Sequence, residues 1–123
     1  MAEPSWEPPA ELRDVADLDF DREARRGYPE AVYCESKTPE QVRAIAAALR
    51  ERGARALFTR ADAERAAAVH EALPEAAHDT EARLLWWPAE MPEPSGGLVV
   101  VAAAGTSDLP VAREAQRTAE FLG

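Results

Sequence analysis

The residues best equipped for chemistry stand together at Gly105, Thr106, Ser107 and Asp108, inside the run Leu98–Val111 (LVVVAAAGTSDLPV). Thr106 and Ser107 offer hydroxyls that both donate and accept, and Asp108 offers a carboxylate. Gly105 permits a sharp turn or close approach of the backbone to a ligand. Pro110 suits the first turn of a helix, whose free N–H groups would add donors for an anion. A polar turn at the carboxyl end of an apolar strand is where open α/β sheets bind their ligands. The same four residues also suit an ordinary helix start, with Ser107 or Asp108 as its cap. Earlier in the chain, Arg22 and Arg25 match phosphate geometry through their forked guanidinium groups. They suit equally well a solvated helix that pairs them with Asp19, Asp21, Glu23 and Glu30. Lys37 stands just before a helix start, where an anion could bind, or it is a surface lysine.

Other reactive side chains read as structural. Cys34, the single cysteine, lies at the end of a short apolar run and reads as a small buried strand residue. His70 and His78 fit no metal-ligand spacing with each other, and no second cysteine is present, so no metal site is expected. His70 reads as a helix surface residue. Trp86 and Trp87 are adjacent, so a strand would send one to each face of its sheet.

The elements that must position these groups follow from periodicity and punctuation. Ala31–Cys34 is a short strand candidate. Thr38, Pro39 and Gln41 form a capping-box signature for a helix that carries Val42, Ile45, Ala46 and Leu49 on one face. Gly53 ends that helix. Ala54–Thr59 reads as a strand, Asp62 caps a helix through Leu73, and Ala82–Trp87 is a further strand candidate. Pro88–Gly97 (PAEMPEPSGG) has the composition of a linker. Leu98–Ala104 is Val-rich and wholly apolar, as expected of a strand covered on both faces. The helix after it places Val111, Ala115, Thr118 and Leu122 on one stripe.

The expected organisation is therefore a flexible acidic tail over 1–10, an α/β unit over 11–89, a linker over 90–97, and a strand–turn–helix over 98–123. A lone strand and helix cannot bury a core of their own. They either dock on the first unit or begin a second domain, and the second arrangement is preferred.

Composition narrows the function. The 123 residues carry a net charge of −9, which disfavours nucleic acid as a partner. Met1–Phe20 alone holds six acidic residues against one arginine. No apolar run approaches the ~20 residues that span a bilayer, and the Pro-rich acidic start is unlike a secretion signal. One cysteine cannot form an internal disulfide, in keeping with a reducing, cytoplasmic setting.

Two constellations then carry a resemblance. The first is Asp19-x-x-Arg22-x-x-Arg25-x-Gly27-x-Pro29-Glu30, followed by Lys37-Thr38-Pro39-Glu40-Gln41. The second is Ala104–Ala112 (AGTSDLPVA), followed by Glu114-Ala115 and Thr118-Ala119-Glu120, with Leu57-x-Thr59-Arg60 between the two. Together they resemble the amino-terminal half of the LarB family, also described as circadian phase modifier or AIR-carboxylase-like proteins. The likeness runs from about Leu18 to Gly123. Cys34 and Ser36 stand where the family pattern has glycines, and Cys34 does not match the family's nucleophilic cysteine, which lies in the other half.

The resemblance implies a small amino-terminal α/β unit followed by the first strand, loop and helix of a PurE-like α/β/α domain. It implies a role in making the nickel-pincer nucleotide cofactor. Family members carboxylate nicotinic acid adenine dinucleotide at C5 of its pyridinium ring and hydrolyse its phosphoanhydride, releasing AMP. The product is pyridinium-3,5-biscarboxylic acid mononucleotide. Carbon dioxide or bicarbonate is the co-substrate, Mg2+ assists, and the full-length protein is expected to form a homo-oligomer through its PurE-like domain. Under this reading Gly105, Thr106, Ser107, Asp108, Arg22, Arg25 and Lys37 would bind substrate, and the chain contains no catalytic residue of its own. It would be an incomplete, inactive part of the enzyme. The alternative is a non-catalytic α/β module that binds a nucleotide or a protein.

Overall fold

The computed structural model describes residues 30–123. Four short strands and three helices appear in chain order. These are β1 (Glu30–Tyr33), α1 (Pro39–Arg52), β2 (Ala56–Thr59), α2 (Ala63–Ala72), β3 (Ala77–Asp79), β4 (Leu84–Trp87) and α3 (Leu109–Leu122), with a single 3-10 turn at Thr106–Asp108. The protein is thus a small α/β unit built on one mixed sheet of order β1-β2-β4-β3.

The local chemistry of each element is visible in its ends. Thr38 accepts from the Gln41 N–H at 3.2 Å while Gln41 Oε1 accepts from the Thr38 N–H at 2.9 Å, a complete capping box. Gly53 closes α1 at φ 65°, the left-handed conformation that glycine adopts without steric cost. Asp62 caps α2 by accepting from the Arg65 N–H at 2.9 Å.

Helix α1 makes the crossover that lets β1 and β2 pair in parallel, Tyr33 opposite Thr59. Strand β4 then runs antiparallel to both β2 and β3. Alternation along the strands separates two cores. Val32, Phe58 and Leu85 face α1 and α2, meeting Ile45, Leu49 and Val69. Leu57, Leu84 and Trp86 face the other way and enclose Phe121 of α3. The adjacent tryptophans divide as the strand period requires, Trp86 with the Phe121 cluster and Trp87 against the larger core.

The carboxyl-terminal segment differs from expectation in two respects. Leu98–Ala104 forms no strand. Leu98 and Val100 are 93% and 79% exposed. An apolar run becomes a strand only when a neighbour takes up its N–H and C=O groups, and no strand of this sheet lies beside it. Helix α3, for its part, does not turn its Val111–Ala115–Leu122 stripe inward. Val111 and Leu122 are exposed, and the helix docks through Phe121 and two arginines instead. Strand β3 was not expected either: Ala77-His78-Asp79 is too short and polar to carry a strand signal, and its partner β4 induces it.

Candidate functional site

Strand directions bring four chain segments to one edge of the sheet. β1, β2 and β3 end there and β4 begins there, so Tyr33, Thr59–Arg60, Asp79 and Arg83 line a common border. At β1 the chain turns through Cys34 to Lys37. The Cys34 N–H donates to Thr59 O at 2.9 Å, continuing the ladder by one residue, and the Lys37 N–H donates to Cys34 O at 3.0 Å. The Lys37 ammonium folds back to donate to Tyr33 O at 2.9 Å, while Arg65 Nε donates to Lys37 O at 2.7 Å. In this arrangement Lys37 closes the end of β1. Its charge meets a carbonyl rather than a carboxylate.

Tyr33 is half exposed, at 49%. Its hydroxyl donates to Glu35 at 2.7 Å. That bond to a carboxylate, with some desolvation, raises the phenol's pKa, and the nearby Arg60 and Arg83 work against the rise. Cys34 is wholly buried beneath this loop, and burial pushes its thiol up to about 11 despite the Lys37 and Arg65 charges. A cysteine so protonated is no nucleophile.

Arg60 and Arg83 both stand at φ 54°. They are joined across the β2–β4 border, where the Ala61 N–H donates to Arg83 O at 2.9 Å. Neither was singled out as a binding residue from the sequence, because a left-handed conformation is signalled by glycine or asparagine and not by arginine. Arg60 reaches Glu114 of α3 at 3.6 Å.

Next along the border, Asp79 is 8% exposed and receives α3. Arg113 donates to it through Nε and Nη2, at 3.2 and 3.0 Å, and Arg117 through Nε at 3.1 Å. The Ala82 N–H adds a bond of 3.1 Å. Burial alone would raise this carboxyl. The bonds from Arg113, Ala82 and Arg117 outweigh it and hold the pKa down at about 2.

The Gly105–Asp108 turn precedes the end of α3 that lies on this border. The Asp108 N–H donates to Gly105 O at 3.1 Å, and the turn's side chains are exposed with no capping hydrogen bond. Thr106, Ser107 and Asp108 therefore present their oxygens to solvent at a helix start. Gly105 has an extended backbone, φ −161°, so no left-handed turn demands the glycine, and a Cβ there would meet no protein atom within 4 Å. Arg22 and Arg25 lie outside the described residues.

His70 and His78 meet edge to face with ring centroids 5.8 Å apart, and His70 Nε2 lies 3.0 Å from Ala76 O. His78 is held below the usual imidazole range by partial burial and by His70. Among the described residues no group of three or more His, Cys, Asp or Glu side chains could hold a metal ion. Among them, too, no helix is long and apolar enough to cross a membrane.

Comparison with protein-family models matches residues 10–89 to the LarB/PurE-like N-terminal domain. A search of curated proteins gives no match. The family match spans the whole β1–β4 sheet with α1 and α2, and ends before the Gly105–Asp108 turn. The chain belongs to the LarB/PurE-like N-terminal domain family.

Proposed function

We propose that this member of the LarB/PurE-like N-terminal domain family serves nickel-pincer nucleotide cofactor biosynthesis, as the amino-terminal part of a pyridinium-3,5-biscarboxylic acid mononucleotide synthase. The observation that carries the reading is the family match over residues 10–89. The reaction would carboxylate C5 of nicotinic acid adenine dinucleotide with carbon dioxide or bicarbonate and hydrolyse its phosphoanhydride to release AMP.

The share of the work assigned to this chain is binding. Thr106 and Ser107 would donate to phosphate or carboxylate oxygens of the dinucleotide, helped by free N–H groups at the start of α3. Asp108 would accept from a ribose hydroxyl. Lys37 would contribute its charge at the end of β1, and Arg22 and Arg25 would serve the phosphates. The one cysteine is buried and protonated, so the covalent step falls to no group described here. Magnesium, which the family reading implies, finds no ligand set among the described residues, and no step is routed through it. The setting would be cytoplasmic and the full-length enzyme a homo-oligomer.

The deciding experiment incubates this chain, and a longer product of its reading frame that includes a second, cysteine-bearing half, with the dinucleotide, bicarbonate and magnesium. AMP and the biscarboxylic mononucleotide from the longer form alone are the expected result. No product from either form would overturn the reading. A second reading, a non-catalytic protein-binding module, is favoured by one feature: Leu98–Val101 and the Val111–Leu122 stripe leave an apolar surface open.

A further inference from the structure

Arg60 and Arg83 share a conformation that side chains rarely adopt, and they share one border of the sheet. Glycine or asparagine would sit at φ 54° with less strain, yet the chain carries arginine at both positions. Strain of this kind is retained where a side chain must be aimed, and it gathers at ligand clamps. The charges around the pair are unevenly matched. Arg65 is paired with Asp62 at 2.8 Å, whereas Arg60 only approaches Glu114 at 3.6 Å, longer than a charge-assisted hydrogen bond. Arg83 is exposed and makes no ion pair with a carboxylate among the described residues. Tyr33 pairs with Thr59, the residue before Arg60, and the Arg83 carbonyl accepts from the Ala61 N–H at 2.9 Å, so Tyr33, Arg60 and Arg83 leave the backbone at neighbouring points of one border. Lys37, beside Tyr33, adds a third positive group, which donates to the Tyr33 carbonyl and pairs with no carboxylate among the described residues.

We propose that Arg60 and Arg83, with the Tyr33 hydroxyl between them, form a binding site for a phosphate or diphosphate anion. The two arginines take phosphate oxygens as paired forks, and Arg60 exchanges its loose contact with Glu114 for the anion. The Tyr33 hydroxyl turns from Glu35 to the ligand. The site goes beyond the carboxylase reading and stands whether or not that reading holds, because it requires only a phosphate oxygen and no particular reaction.

The test titrates the full chain with sodium pyrophosphate, inorganic phosphate and acetate at constant ionic strength, following backbone amide shifts. Saturable shifts confined to Tyr33, Arg60–Asp62 and Arg83 are expected, strongest with pyrophosphate and weakest with acetate. Arg83→Gln and Arg60→Gln should each weaken pyrophosphate binding by tenfold or more, while Arg43→Gln on α1 leaves it unchanged. Arg83→Gly adds a readout that a structural role would not produce: Tm rises as backbone strain is relieved, and binding is lost. Pyrophosphate shifts no larger than those of acetate, wild-type binding by Arg83→Gln, or a fall in Tm for Arg83→Gly would each overturn the proposal. None of these outcomes bears on product formation by the longer chain, which is measured separately.

Discussion

Arg117 Nε donates to Asp79 Oδ2 at 3.1 Å, linking residues 38 positions apart and holding α3 to the last residue of β3. Arg113 donates to the same oxygen at 3.0 Å, so one carboxylate anchors two successive turns of the helix. Asp79→Ala removes the acceptor shared by both arginines and the Ala82 N–H, leaving Arg113 with Glu81 at 3.5 Å and Arg117 with Glu120 at 3.1 Å. The arginine side chains are 38% and 31% exposed and can rehydrate, so the cost is about 1–3 kcal/mol and not that of a fully buried pair. Urea denaturation measures the loss, and amide exchange across Arg113–Phe121 should accelerate more than exchange in α1. Equal protection of α3 in wild type and variant would refute the anchoring role.

The same carboxylate gives stability a definite acid dependence. Its folded pKa is depressed to about 2, below the ordinary range near 4. The unfolded chain therefore binds the proton more readily, and stability increases with pH across that interval. The contribution is complete above the unfolded value and disappears as pH falls from about 4 toward 2. In thermal melts over that range, wild type should lose stability faster than Asp79→Asn. Parallel curves for the two proteins would contradict this assignment.

Phe121 supplies the apolar half of the docking. It is fully buried against Leu57, Leu84 and Trp86, its ring lies 4.5 Å beneath the Arg55 guanidinium, and its carbonyl accepts from Arg55. Phe121→Ala should cost about 3 kcal/mol, the low end for such truncations, because the site lies at a helix end that can partly collapse. Trp86 emission shifting to the red in the variant checks this, since Trp86 lines the vacated space. An unchanged spectrum with unchanged stability would mean that α3 does not rest on the sheet in solution.

Thr38→Ala removes one side of the capping box and should destabilise the protein by about 1 kcal/mol. Thr38→Ser keeps the hydroxyl and should restore most of the loss, as measured by the midpoint of urea unfolding. A loss of equal size in both variants would point to packing by the threonine methyl instead of capping.

How much of this was legible in the sequence depended on whether the signal was local. Thr38, Gln41 and Gly53 marked both ends of α1, and Asp62 the start of α2, because capping is decided by residues a few positions apart. The division of Trp86 from Trp87 followed from the strand period alone. Strand β3 was illegible, since Ala77-His78-Asp79 extends only because β4 lies beside it. Helix α3 misled for the converse reason: its apolar stripe was clear, but the partner that decides its orientation is a buried Asp79 on a remote strand. The Gly105–Asp108 turn was legible as a helix start, although its glycine is extended and makes no left-handed turn. Arg60 and Arg83 could not be found from sequence, because their strain is a property of the strand border and not of their neighbours in the chain.

Cys34 closes the chemical account of the β1 turn. Its side chain is fully buried and its thiol pKa is pushed from 9.0 to about 11 by desolvation. The thiolate is the reactive form, so a rise of this size leaves about 100-fold fewer nucleophiles at neutral pH, before access is counted. Iodoacetamide at pH 8 should therefore alkylate the folded chain at least that much more slowly than a free cysteine, and the rate should jump when urea unfolds it. Mass spectrometry of the intact protein follows both rates. Rapid alkylation of the folded chain would reopen a nucleophilic role for Cys34 and remove the ground on which the covalent step is assigned elsewhere.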